Sequence, residues 1–101
     1  HSSDAFTRIR QAITADPESA KPWSLLGDLE LKNQRSAAAL TAYQTALRLS
    51  ADFVPQLRMR IASLQMDRGQ LDAARDTVDP LREALPDSPV IQLLYAALSL
   101  K

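Results

Sequence analysis

The sequence contains no cysteine and only one histidine, and aromatic residues make up just 5% of its 101 positions. The absence of cysteine excludes disulfides, thiolate metal sites and cysteine nucleophiles, and it fits an oxidising or a reducing compartment equally well. The one histidine is His1, followed by Ser2 and Ser3. Such a terminal position is typical of a residue left by cloning, so we do not expect it to act as a general base.

Neither sign of charge is in excess, because twelve basic and twelve acidic side chains cancel. Without a net field there is little to attract a phosphate backbone or an anionic lipid surface, and we expect no nucleic-acid partner. The arginines between Arg58 and Arg82 are offset by neighbouring acids almost one for one. This pattern favours a solvated face with ion pairs over a site for an acidic peptide or an anionic polysaccharide.

Long apolar runs are also missing, since no stretch approaches the roughly 18 to 20 residues that a membrane span needs. We therefore expect no direct membrane insertion of this segment. Nothing at the start resembles a signal peptide. The helical apolar pattern continues through Leu98 and Leu100, so we expect the sequence to be part of a longer protein. The cellular compartment stays open.

Motifs for catalysis are absent as well. The sequence has no glycine-rich phosphate loop, no metal-ligand spacing and no nucleophile motif. Asp16 and Glu18 form an acidic pair, but they lie at a predicted helix joint, where negative charge stabilises a helix N-terminus. We expect no enzymatic activity, no cofactor and no metal.

What the sequence does contain is an internal repeat, with the same kinds of residue returning at a shift of about 34 positions. In one helix the recurring residues are Ala5 and Ile9 before Pro17, then Ala39 and Tyr43 before Ala51, then Ala74 and Val78 before Pro86. The pairs that recur in the helix before it are Leu26-Gly27, Ile61-Ala62 and Tyr95-Ala96.

The apolar spacing predicts antiparallel helices and no strands, because strict alternation is missing. The predicted ranges are roughly 3–15, 19–33, 36–50, 54–68, 71–85 and 88–101. Five of the six prolines fall at joints between these helices, where proline is tolerated. Pro80 lies inside a helix instead, and we expect it to kink or split that helix, with Asp79 capping the second half. We interpret this as a local irregularity, with a functional hinge as the alternative.

Residues 20–53 resemble a tetratricopeptide repeat, whose pattern is W-x2-L-G-x2-Y, then A-x3-F, then proline. The matching residues are Trp23, Leu26, Gly27, Ala39, Tyr43 and Ala46. In such a repeat, small residues let two helices approach closely and large ones fill the space around them. The segment departs from the pattern at Glu30, where an aromatic is usual, and at Ala51, where proline is usual.

Residues 55–88 resemble a second repeat, with Arg58 in the position of Trp23. Residues 4–17 resemble the second helix of a partial repeat, and residues 89–101 resemble the first helix of another. The resemblance implies an all-α solenoid of antiparallel helix pairs, about six helices in a right-handed superhelix. It also implies a protein–protein interaction scaffold, whose concave wall is lined by one face of each first helix and holds a peptide or helix of a partner.

This implied wall contains a set of residues spaced three and four apart on each first helix, which we term the predicted groove residues. They are Lys21, Ser24, Asp28, Leu31, Gln56, Met59, Ser63, Met66, Val90, Leu93 and Ala97. The family's carboxylate clamp for acidic chaperone tails is not expected, because Asp28 stands where asparagine is usual and would repel a terminal carboxylate.

The first helix of the repeat at residues 55–88 has two apolar faces. Leu57, Ile61 and Leu64 are expected to face the core, while Met59 and Met66 lie on the other side. Exposed methionines cost about 1.5–3 kcal/mol each relative to burial, so we expect something to cover them. A flexible methionine surface suits a bound helix or peptide. The alternative is that flanking repeats or a second copy cover this stripe.

Two other functions stay open beside partner binding. The segment acts as a structural spacer within a longer solenoid, or it self-associates through apolar solenoid ends such as Val90, Leu94 and Leu98.

A further resemblance concerns the subfamily. The runs Phe53-Val54-Pro55, Gly69-Gln70-Leu71-Asp72-Ala73-Ala74 and Leu85-Pro86-Asp87-Ser88-Pro89, followed by Leu94-Tyr95-Ala96-Ala97-Leu98, look like bacterial tetratricopeptide lipoproteins of exopolysaccharide and exosortase-associated secretion. This likeness implies a bacterial envelope protein, periplasmic or associated with the outer membrane, although similar repeats occur in cytochrome c maturation proteins and the cytoplasm stays open.

Overall fold

The computed structural model describes residues 2–51 and 54–99, and within them it contains helices and turns but no strand. The helices are α1 (Ser2–Ala15), α2 (Ala20–Lys32), α3 (Ser36–Leu49), α4 (Pro55–Asp67), α5 (Leu71–Ala84) and α6 (Pro89–Ser99). Each predicted helix is confirmed to within two residues at the ends that the structure describes. Residues 100 and 101, predicted to extend α6, lie outside the described residues. The repeat boundaries stay predictions.

The chain divides into two compact units, residues 1–54 and 55–101. The N-terminal unit is built on the α2–α3 pair, with α1 packed against α2. In the C-terminal unit, α5 packs against both α4 and α6. Short turns join consecutive helices within each unit, as expected for helix pairs.

The core of the N-terminal unit depends on one very close helix approach. Gly27 is buried, and a Cβ placed on it would lie 2.6 Å from Cδ1 and Cε1 of the Tyr43 ring. Ala39 and Ala46, one turn to either side of Tyr43, are fully buried. The small residues at these three positions therefore make room for one large buried ring, as the sequence predicted.

In the C-terminal unit, the residues at the corresponding helix contact have different sizes from those in the N-terminal unit. Its core cluster consists of Ala62, Ala74, Val78, Leu81, Ile91 and Leu98. Ala62 occupies the position of Gly27, and Val78 occupies the position of Tyr43. A larger residue on the first helix is therefore matched by a smaller one on the second, which offsets part of the change in volume.

One buried pair in this unit is polar. Gln65 and Thr77 are both buried, and the Thr77 hydroxyl donates to Gln65 Oε1 at 2.7 Å. Gln65 stands at the position where the repeat pattern has an aromatic, so a hydrogen bond replaces an aromatic contact between α4 and α5. The pairing removes the desolvation cost that a lone buried amide would carry.

The turns after α2 and α4 have the same geometry. Gly69 has φ +75°, and Gln70 N–H donates to Gln65 O at 2.8 Å. At the equivalent place after α2, Gln34 has φ +62°, and Arg35 N–H donates to Glu30 O at 2.9 Å. Both turns use a left-handed residue to satisfy the last helical carbonyls. Gly69 adopts this conformation without steric cost, whereas Gln34 adopts it at a cost because it has a Cβ.

Gln34→Gly is expected to stabilise the protein by about 0.5–1 kcal/mol. Left-handed backbone costs an L-residue about 1–2 kcal/mol, and glycine avoids this cost while losing some conformational entropy on folding. Urea unfolding followed by circular dichroism measures the difference. Gln44→Gly, at an exposed position within α3, is the matched control and should destabilise by about 1 kcal/mol. A loss of stability in Gln34→Gly would contradict the left-handed assignment.

Pro80 does not split its helix, because α5 runs without interruption from Leu71 to Ala84. The expected break, with Asp79 capping a second half, is therefore wrong. Val78 and Leu81 lie on either side of the proline and are both fully buried. Their packing holds the helix together across the missing N–H. The expected kink and the functional-hinge alternative stay predictions.

At two of the joints between helices, a side chain of the following helix donates a hydrogen bond to a proline carbonyl. The sequence pattern did not predict these bonds. The indole of Trp23 donates to Pro17 O at 3.4 Å, and the amide of Gln92 donates to Pro86 O at 3.0 Å. Each donor lies six residues after the proline, in the first turn or so of α2 or α6. Gln92 thus makes at the α5–α6 joint the same kind of contact that Trp23 makes at the α1–α2 joint.

Candidate functional site

The predicted groove residues of α2 lie on one side of the helix in the N-terminal unit. Lys21, Asp28 and Leu31 are exposed, and Ser24 is half-buried. Leu31 keeps 42% of its surface in contact with solvent. This stripe offers a cation, a carboxylate and an apolar side chain in sequence along the helix.

The Asp28 side chain on α2 is held in place by a tyrosine on α3. The Tyr43 hydroxyl donates a hydrogen bond to Asp28 Oδ1, and the Tyr43 ring is 1% exposed against Gly27. A buried ring with a polar tip at the surface is a common use of tyrosine. The sequence pattern predicts for Tyr43 only that its ring fills space between the helices. The signal that could have revealed its second role is tyrosine in place of the usual phenylalanine.

The predicted groove residues of α4 are of two kinds. Gln56 and Ser63 are exposed, whereas Met59 and Met66 are half-buried and pack against the core cluster of the C-terminal unit. The expectation that both methionines form a separate exposed apolar face is therefore wrong. They contact the same core as Ile91 and Leu98. Their part in a partner site stays a prediction.

The predicted groove residues of α6 are the most exposed apolar ones. Val90 is 55% exposed and Leu93 is 70% exposed, while Ala97 is half-buried. Ile91 and Leu98, on the neighbouring face of the same helix, are 1% and 0% exposed. The helix thus has one face in the core and another in solvent, and both are apolar.

Leu98 was predicted to be exposed at an apolar end of the solenoid and available for self-association. That prediction is wrong. Its side chain is completely buried in the core of the C-terminal unit. Leu94, from the same prediction, is half-buried. Only Val90 of the three residues is exposed.

The arginines of the C-terminal unit are engaged mainly in contacts within it. Arg75 contacts Asp72 Oδ1 at 2.9 Å and also donates to Leu98 O at 2.9 Å. The guanidinium of Arg82 lies 3.6 Å from the centroid of the Tyr95 ring, and Arg58 donates to Thr77 O at 3.4 Å. These contacts agree with a structural role for the charges rather than an anion site.

The described residues carry no arrangement that suggests metal chemistry, since no group of three or more histidine or acidic side chains among them is placed to hold an ion. None of the helices in that part of the chain combines the length and apolarity that crossing a bilayer requires. The geometry on the surface is that of exposed stripes on helices, with side chains suited to contact another protein.

Comparison with known families agrees with the packing described above. A family model described as tetratricopeptide repeat matches residues 30–98. A second model of the same description matches residues 1–56. No curated protein matches the chain significantly. Neither family match concerns exopolysaccharide secretion, so that likeness stays a prediction.

The two matches overlap and together cover almost all of the helices, in agreement with the small and large residues that alternate at the helix contacts. Arrays of this kind present extended surfaces for other proteins and are typically non-catalytic scaffolds. The first match alone covers well over half of the chain, which therefore belongs to the tetratricopeptide repeat family.

Proposed function

We propose that this chain is a non-catalytic module that binds a helix or an extended peptide of a partner protein along the exposed faces of α2, α4 and α6. One observation carries the proposal. Among the described residues five large apolar side chains are exposed, and three of them, Leu31, Val90 and Leu93, stand at predicted groove positions. Full burial of such a side chain is worth about 1.5–3 kcal/mol, and covering the 42–70% of each that is exposed would contribute a corresponding part of it.

The polar members of the stripes suit the same role. Lys21 and Asp28 on α2, and Gln56 and Ser63 on α4, are exposed and offer donors and acceptors to a partner's backbone or side chains. The Tyr43 hydroxyl bonded to Asp28 fixes one of these acceptors before binding. A group that is already ordered costs less entropy when it binds.

The setting that we propose is a bacterial envelope or secretion assembly. Its support is the sequence likeness of the segments around Phe53, Gly69 and Pro86 to bacterial tetratricopeptide lipoproteins. The identity of a captured partner, taken from a membrane extract, tests this setting separately from the binding itself.

A second candidate is a structural spacer within a longer array. The packing of Met59 and Met66 on the core favours it, because two of the predicted groove residues already have a structural use. Under this alternative, substitutions at Leu31 and Leu93 would change no binding.

The test is affinity capture with wild-type chain and with a Leu31→Glu/Leu93→Glu variant, read by mass spectrometry. Both leucines are exposed, so the variant should fold as the wild type does by circular dichroism. Leu85→Glu is the matched control, since Leu85 is 39% exposed but lies outside the stripes. We expect a partner that wild type and Leu85→Glu retain and that the double variant loses. Equal capture by all three, or capture of nothing, would favour the spacer.

A further inference from the structure

The chain has no cysteine, so its only sulfur atoms are those of Met59 and Met66. Both methionines belong to α4. They are seven residues apart, which is about two helical turns, and therefore project from the same side of the helix. A peroxide finds no thiol in this chain, so the two thioethers are the sulfur atoms left for it to oxidise. Their place in the fold decides what oxidation would do to the protein.

Both methionines lie at the edge of the core of the C-terminal unit. Each is half-buried, so part of the side chain faces solvent while the rest packs against the buried cluster. That cluster joins three helices, because Ala62 belongs to α4, Val78 to α5 and Ile91 to α6. All members of the cluster are 1% exposed or less. The methionines are therefore open to a small oxidant and also belong to the packing that holds these three helices together.

The surface of α4 beside the methionines is polar and open. Gln56 and Ser63, on the same stripe, are exposed, and so is Arg60, the residue after Met59. Water and a small polar oxidant such as hydrogen peroxide therefore reach the stripe. The cluster on the other side of the methionines is made of residues of this same unit.

Oxidation would change the character of the contacts with the cluster. The thioether sulfur attacks one oxygen of the peroxide and the O–O bond breaks. The sulfur loses two electrons and keeps that oxygen, while the other oxygen takes up the proton of the first and leaves as water. The product, methionine sulfoxide, is polar, and a polar group packed against an apolar core without a hydrogen-bond partner is destabilising. Each sulfoxide must therefore turn toward solvent and withdraw from the cluster.

We propose that Met59 and Met66 are a modification site for peroxides, at which conversion to methionine sulfoxide loosens the core shared by α4, α5 and α6. Because reductases return methionine sulfoxide to methionine, the change is reversible. The site acts on the stability of the C-terminal unit and needs no partner protein. The inference therefore does not depend on the proposed function.

The test treats the full chain with hydrogen peroxide, locates the added oxygen by mass spectrometry of peptides and measures the melting temperature by circular dichroism. We expect one oxygen on each methionine and a melting temperature lowered by about 5–15 °C. Amide hydrogen exchange should become faster in α4, α5 and α6. Treatment with the two reductases that act on the two sulfoxide epimers should restore the original melting temperature.

Two variants separate this site from oxidation of methionine in general. Met59→Leu/Met66→Leu keeps apolar side chains of similar volume and has no sulfur, so it should fold and keep its melting temperature in peroxide. Adding Gln44→Met to this double variant places one thioether at an exposed position of α3. That thioether should be oxidised without a fall in melting temperature.

Three results would overturn the proposal. The first is a methionine of the folded wild type that stays unmodified at a peroxide concentration that oxidises both in urea. The second is oxidised wild type with an unchanged melting temperature. The third is a fall in melting temperature of the leucine variant, or of the variant with Gln44→Met, that equals the fall in wild type.

Discussion

Gly27→Ala is expected to destabilise the protein by about 1–3 kcal/mol, although alanine is the better helix former. Alanine gains about 0.8–1 kcal/mol over glycine in a helix interior. The added Cβ, however, would lie 2.6 Å from the Tyr43 ring, and overpacking of a buried contact costs more than that gain. The ring cannot simply turn aside, because it is buried and its hydroxyl is bonded to Asp28. Urea unfolding followed by circular dichroism measures the loss.

The sign of this effect should reverse when the ring is removed. In a Tyr43→Val background the pair at these positions becomes alanine and valine, the combination that the C-terminal unit uses at Ala62 and Val78. Gly27→Ala should then stabilise the variant by about 0.5–1 kcal/mol through helix propensity. The difference between the two effects, which the double-mutant cycle measures as a coupling energy, should be about 1.5–4 kcal/mol. Additive substitutions would show that Gly27 and Tyr43 do not compete for the same space.

Leu98→Ala is expected to cost about 2–5 kcal/mol, the range for a leucine truncated in a packed core. Leu98 is 0% exposed and lies among Ala74, Leu81 and Ile91. Its loss would leave a cavity at the point where α6 meets α5. The fluorescence or circular dichroism change in urea reports the stability.

Leu93→Ala is the matched control for this prediction. It is the same substitution in the same helix, at a leucine that is 70% exposed, and it should change stability by less than about 0.5 kcal/mol. Similar losses at both positions would contradict the assignment of one face of α6 to the core and the other to solvent.

The helices could be predicted from the sequence because two independent signals agree on them. Apolar residues recur with helical spacing, and prolines such as Pro55 and Pro89 stand as the first residues of α4 and α6. The close approach at Gly27 was also predictable, since an isolated glycine inside a helical pattern opposite a large aromatic residue indicates a packing need. Pro80 misled the same reasoning, because burial of Val78 and Leu81 outweighs a local helix-breaking preference.

The candidate site was predicted less completely. Spacing places Met59, Met66 and Leu93 on comparable stripes, but it does not say how far a neighbouring helix reaches around each one. The side chains of Met59 and Met66 reach the core of the C-terminal unit, whereas Leu93 remains in solvent. Leu98 was misassigned for the same reason. The bond between Tyr43 and Asp28 joins two helices, and no pattern within one helix contains it.

The central claim is that a partner contacts the exposed stripes of the first helices, and site-specific photo-crosslinking tests it most directly. A photoreactive amino acid replaces Leu31, Leu93 or, as a control, Leu85 in the chain expressed in its own cells, and adducts are identified after irradiation. The account predicts adducts with the same protein from positions 31 and 93 and none with it from position 85. Adducts from position 85 alone, or no adduct from positions 31 and 93, would contradict it.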